Sequence, residues 1–235
     1  MIYPYDNCNR RTDEMFRMKL NKEHHIGTSP VLKLRPKINM VDQFVLDFMH
    51  LGCIGLMGKL ISYWMAGATN VDDVCKTTKL SKEAKVEINR RLKMIHLTVT
   101  NDFQRKTESL VNYGDLKATE LRVISLYTGP LIFNDLLTES AFKHFLLFHI
   151  ACRILCCEET AVKYNTQAKF YLHRFFLGFL QIYGLQTFLH NILHMADDAL
   201  KMNCNLMEIS AFPFENLIKL LKDDVAASYK PLQQI

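Results

Sequence analysis

From Phe48 to Met65 the apolar residues Phe48, Leu51, Leu56, Leu60, Ile61 and Trp64 recur at three- and four-residue steps, which is the spacing of one face of an α-helix. The pattern returns along most of the chain. Thr138 is placed to cap a long apolar helix reaching about Cys157. Glu158-Glu159 opens another, to about Tyr183-Gly184, and Gln186 to Met202 forms a further one. Ser81 is an N-cap for a basic helix through Met94, with Glu83 near its positive end, and Asn70 can cap a short helix from Val71 with Asp72 and Asp73 in its first turn. Asp115 to Tyr127 reads as a helix stopped by Gly129-Pro130. A final helix starts near Pro213 and runs to about Val225. The one exception is Ile38 to Leu46, whose scattered β-branched residues suggest a short strand. The expected fold is mainly α, with at most a remnant strand near 40–47.

Composition agrees. In 235 residues, 49% are hydrophobic and 23% charged, which suits a buried core and excludes disorder or a fibre. With 9 Gly and 6 Pro, a turn-rich β-sandwich is disfavoured. The expected organisation is a basic extended arm over 1–37, a helical domain over 38–225 and a tail over 226–235. Two stretches, Phe44 to Met65 and Phe175 to Ala196, are apolar enough to suggest membrane helices. Asp47, His50 and Lys59 interrupt the first, and Gln181, Asn191 and two His the second. Buried core helices fit better, and no membrane partner is expected. The 7 Cys include no CxxC and lie mostly in apolar runs, as expected of reduced thiols in an intracellular protein. The N-terminus lacks the apolar stretch of a signal peptide.

The net charge of +5 is unevenly spread. Nine Lys/Arg against three Asp/Glu fall in 76–106, and eight against four in 1–37. These segments form either solvated faces or surfaces for polyanions.

Four clusters could carry chemistry. Asp47 and His50, three apart, either orient each other near a metal or reflect an Asp capping the following helix. His190 and His194 share a helix face, with Asp197 and Asp198 one turn on. That is half a metal site, or a helix-end histidine pair. Cys152 and Cys156 beside His149 could bind zinc, although their apolar neighbours favour buried thiols. In Phe212-Pro213-Phe214-Glu215-Asn216 a carboxylate stands in a helix first turn. It suits a metal ligand, a general base or a plain helix-start Glu. No phosphate-binding glycine loop, serine nucleophile elbow or Cys–His nucleophile pattern is present.

Several segments together, RTDEMF (11–16), EHHIGTSP (23–30), FVLDFMHLGCIGLMGKLISYW (44–64), LKATELRVISLYTGP (116–130), HFLLFHIACRIL (144–155), LHNILHMADDAL (189–200) and SAFPFENLIKLLK (210–222), resemble the transposase domain-containing proteins related to CACTA-type DDE transposases. The resemblance implies an RNase H-like core whose two Asp and one Glu bind Mg2+ or Mn2+, with a helical insertion between the second Asp and the Glu. It makes Glu215 the last catalytic and metal-binding acid. Asp47 and His50 become supporting residues of a D-x-x-H signature, or Asp47 itself the second Asp. It also implies a nuclear protein. At least one catalytic Asp is not matched, so the expectation is a catalytically incomplete fragment holding the helical insertion. No metal is expected on this fragment and no small-molecule substrate. Duplex DNA is a possible partner, met by Lys82, Lys85, Arg90, Arg91 and Lys93, and self-association through an exposed apolar face is expected. The alternatives are a helical interaction module co-opted by the host, or an active transposase whose gene model is truncated.

Overall fold

The computed structural model describes residues 11–20, 22, 25–67, 78–98, 100, 105, 107–184 and 187–223. The Asn70-capped helix, the 226–235 tail, Cys8 and Cys75, and part of both basic segments, including Lys76 and Lys106, lie outside the described residues. The chain divides into two units, 1–46 and 47–235.

In the first unit, Thr12 caps α1 (Asp13–Arg17) by accepting from the Met15 N–H. Asp13 then holds the later chain: it accepts from Arg17 Nε at 2.6 Å and from the Met40 N–H at 2.7 Å, while Arg17 donates to the Ile38 carbonyl. No strand occurs among the described residues, so the expected strand near 40–47 is not formed. The cause is Asn39. Its side-chain oxygen accepts from the Val41 and Asp42 N–H groups, and its own N–H donates to Gln43 Oε1. These local bonds wind the segment into a turn and consume donors that a strand would need.

The second unit is a helical array. A segment wound with wider, i→i+5 turns, Met49–Met57, leads into α2 (Gly58–Ala66). The basic helix is α3 (Lys82–Thr98), capped by Ser81 as expected and extending past Met94. After α4 (Ala118–Val123) comes a second wide segment, Ile124–Thr128, and then α5 (Gly129–Phe133). Gly129-Pro130 is therefore not a stop. Proline lacks an N–H and would clash with the carbonyl four residues back in a regular α-helix, and a wide turn removes that conflict. Gly129 is required there, because a Cβ would lie 2.5 Å from both the Ile124 carbonyl and the Phe145 ring.

The centre is α6 (Glu139–Leu155) packed along α8 (Asn165–Tyr183), joined by the short α7 (Glu158–Ala161). The expected single helix from Glu158 is thus broken into two. Thr138 caps α6 as expected. Phe145, Phe148, Phe175 and Phe179 are fully buried, and Trp64 fills the gap, edge-on to Phe133 and Phe145. The Trp64 indole N–H donates to the buried Tyr183 hydroxyl at 2.9 Å, which satisfies its polar end inside the core. The stretch expected as one helix to Met202 begins instead with tighter turns, Thr187–His194, before α9 (Met195–Met202). Asn203, with φ 52°, ends α9, and the Leu206 N–H donates to the Leu155 carbonyl, tying the following segment to the end of α6. The last described element is α10 (Phe212–Asp223).

Candidate functional site

Asp47 stands at the entrance to the wide helical segment, and both of its oxygens are occupied. Oδ1 accepts from the Met49 N–H at 3.2 Å, and Oδ2 accepts from the His50 N–H at 3.0 Å and lies 2.5 Å from His50 Nδ1. Oδ1 also accepts from the Ala211 N–H at 2.7 Å, across 164 positions of sequence. Partial burial pushes the Asp47 carboxyl upward. The hydrogen bonds, led by the one from Ala211, outweigh it and hold the group below its ordinary value. The carboxylate is therefore charged at neutral pH.

Ala211 immediately precedes α10 and has no side-chain acceptor with which to cap it. Asp47 supplies a negative charge at this helix start, where the dipole is positive. Phe212 is buried, with the Arg122 guanidinium carbon 4.6 Å from its ring centroid. Glu215 follows in the first turn, its N–H donating to the Ala211 carbonyl at 2.9 Å, and its side chain is exposed. The fold thus brings the Asp47/His50 pair to the base of the helix that carries Glu215. Asp47 holds that base, and His50 remains largely exposed with Nδ1 fixed.

The donor set does not fit a two-metal centre. Among the described residues no group of three or more His, Cys, Asp or Glu converges as metal ligands would. The Asp47 oxygens are committed to N–H donors, which makes it a positioning residue. Glu215 alone, a single exposed carboxylate, cannot hold two metal ions.

The five basic residues expected to meet DNA do not act alike. Arg90 is bidentate with Glu87, at 2.7 and 2.8 Å. Glu87 also accepts from Arg91 Nε, and Arg91 donates to the Leu131 and Asn134 carbonyls, fastening α3 to the end of α5. Lys82 and Lys93 are exposed and Lys85 is half-buried. At about 100° per residue these three lysines share one flank of α3.

The other clusters resolve plainly. His190 and His194 face each other, Nε2 to Nε2, at 3.1 Å, so one must donate and the other accept. Burial and the neighbouring ring lower the His190 pKa. Asp197 pairs with Lys169 of α8 at 2.5 Å and lies 3.8 Å from His194. Cys152 is a buried thiol and Cys156 a half-buried one, both pushed up by desolvation, while His149 Nδ1 turns away to the Ser125 carbonyl at 2.7 Å. They form no zinc triad. Cys53, Cys152, Cys156, Cys157 and Cys204 are free thiols. No helix among the described residues is long and apolar enough to cross a membrane.

Sequence reasoning missed Arg122 and the Ala211 N–H as parts of this locus. Arg122 lies in the LKATELRVISLYTGP segment, but nothing local marks it as the partner of an aromatic ring 90 positions away. In comparisons with known proteins, the chain matches no family model, no curated protein and no solved structure.

Proposed function

We propose that this chain is the helical part of a DDE-transposase-like protein, and that it acts by binding duplex DNA rather than by cutting it unaided. The observation that supports this reading most is the Asp47–Ala211 hydrogen bond. The two segments onto which the resemblance places site residues, DFMH and SAFPFEN, are remote in sequence and meet through this bond. A D-x-x-H carboxylate that anchors the helix of the final acid has a purpose in such a protein. Glu215 is the residue proposed for metal chemistry, and it would need further carboxylates beside it. Lys82, Lys85 and Lys93 are the proposed DNA contacts, and Arg90 and Arg91 serve mainly to hold α3. Nuclear residence belongs to the same proposal.

The test is fluorescence anisotropy with duplex DNA at two salt concentrations. Three phosphate contacts correspond to about a 40-fold loss of affinity between 50 and 200 mM salt. Replacing Lys82 and Lys93 by Glu should remove most of the binding. Affinity that ignores salt or survives that double substitution overturns the assignment. Strand nicking in Mn2+ that disappears in Glu215→Gln would instead establish an active nuclease.

A second reading, a helical interaction module, is favoured by α10. Phe214, Leu217 and Ile218 lie on one face at helical spacing and are exposed, as is Leu220. Self-association through this face is the corresponding proposal.

A further inference from the structure

A cleft of about 510 Å³ opens beside the end of α6, lined by Arg122, Leu126, Tyr127, Arg153, Cys156 and Cys157, with Met207 at its edge. Two guanidiniums and no carboxylate line it. Arg122 is held over Phe212, and Arg153 over Tyr127 with its guanidinium carbon 4.9 Å from the ring centroid. Neither arginine forms an ion pair or hydrogen bond among the described residues. Glu159, in the turn after Cys157, accepts from Cys157 Sγ at 2.7 Å. Burial raises the Cys156 thiol, and both arginine charges oppose that rise, so both lie within electrostatic reach of one atom.

A guanidinium held over an aromatic ring has its face occupied and its N–H edge available. Two such groups converging on one cleft offer a set of charged donors with no protein acceptor. The ligand that satisfies them is a compact anion with several oxygens, which paired arginines recognise through bidentate bonds. Leu126, Met207 and the Tyr127 ring provide apolar wall for whatever carries that anion.

We propose that this cleft is a binding site for a phosphate group, gripped between Arg122 and Arg153. The proposal is independent of DNA contact through α3. The phosphate can belong to a small molecule or to the end of a nucleic acid strand.

The experiment uses the full chain, with iodoacetamide alkylation of Cys157 followed by mass spectrometry, and thermal unfolding alongside. Probes are inorganic phosphate, sodium chloride at matched ionic strength, and octathymidylate with and without a 5′-phosphate. Phosphate should slow alkylation saturably and raise the unfolding temperature, and chloride should do neither. Arg153→Gln, at an exposed side chain, should weaken phosphate at least about tenfold without changing the circular dichroism. Arg122→Lys, which keeps the charge and loses the fork, should also weaken it. Equal protection by chloride, or wild-type phosphate affinity in both variants, overturns the proposal. Tenfold tighter binding of the 5′-phosphorylated strand than of inorganic phosphate and of the unphosphorylated strand assigns the site to nucleic acid ends. Phosphate binding without that preference assigns it to a small phosphate compound.

Discussion

α6 and α10 both carry apolar residues at helical spacing, yet they end in different surroundings. Phe145, Phe148, Cys152 and Leu155 of α6 are fully buried against α8 and its neighbours. Phe214 and Leu217 of α10 are 63% and 53% exposed. α6 is held along its length, whereas α10 is held at its first turn, through Asp47, Ala211 and Phe212. Amphipathicity fixes which face of a helix will be covered, and it is silent on what covers it.

The largest expected effect lies in the covered helix. Phe148→Ala should cost about 3–5 kcal/mol by urea unfolding, through lost burial and the cavity left behind. Leu217→Ala in α10 should cost less than about 0.5 kcal/mol. A comparable, concentration-dependent cost at Leu217 would show that α10 is covered by a second copy in solution, and a monodisperse monomer in sedimentation would count against self-association.

The core also holds a histidine that distinguishes it by pH. His144 Nε2–H donates to the Phe175 carbonyl at 2.8 Å, and its ring stacks on Phe175 at 4.1 Å. Burial lowers its pKa from 6.5 to about 4, against the smaller opposing effect of that hydrogen bond. The fold therefore favours neutral His144. Its contribution is complete above pH 6.5 and is lost as pH falls from 6.5 towards 4, roughly 3 kcal/mol in all. Urea midpoints across this range should show the decline, and His144→Gln should flatten it.

A smaller effect than that of His144 concerns the anchor of α10. Asp47→Asn should loosen the α10 start by about 1 kcal/mol, read as faster amide exchange at Ala211 with the α6–α8 core unaffected. The Asp47 carboxyl is held low, so the wild-type anchor persists above about pH 4 and is lost as pH falls through the lowered value. Unchanged exchange at Ala211 would mean that Phe212 burial alone docks the helix.

Features decided by neighbours in sequence were legible. Ser81 and Thr138 cap the helices they precede because a cap bond spans only three residues. The helices themselves follow from apolar spacing. The reading failed where a local rule met a stronger competitor. Asn39 turns a segment that β-branched residues had suggested as a strand. A wide turn carries the helix through Gly129-Pro130. In the candidate site, Asp47, His50 and Glu215 were nameable as chemistry-bearing residues. Arg91 looked like a free cation and proves to be bonded to carbonyls 40 and 43 positions away.

The sequence by itself determined a mainly helical chain, the faces of its helices and the residue types able to carry charge or ligands. Those properties depend on periodicity and on groups within one or two turns of each other. Tertiary structure alone decided that Asp47 would hold the start of α10, that Arg122 and Arg153 would converge on one cleft, and that α6 would be covered while α10 is not. Such pairings depend on which surfaces meet once loops of many residues have closed, and no spacing along the chain records that geometry.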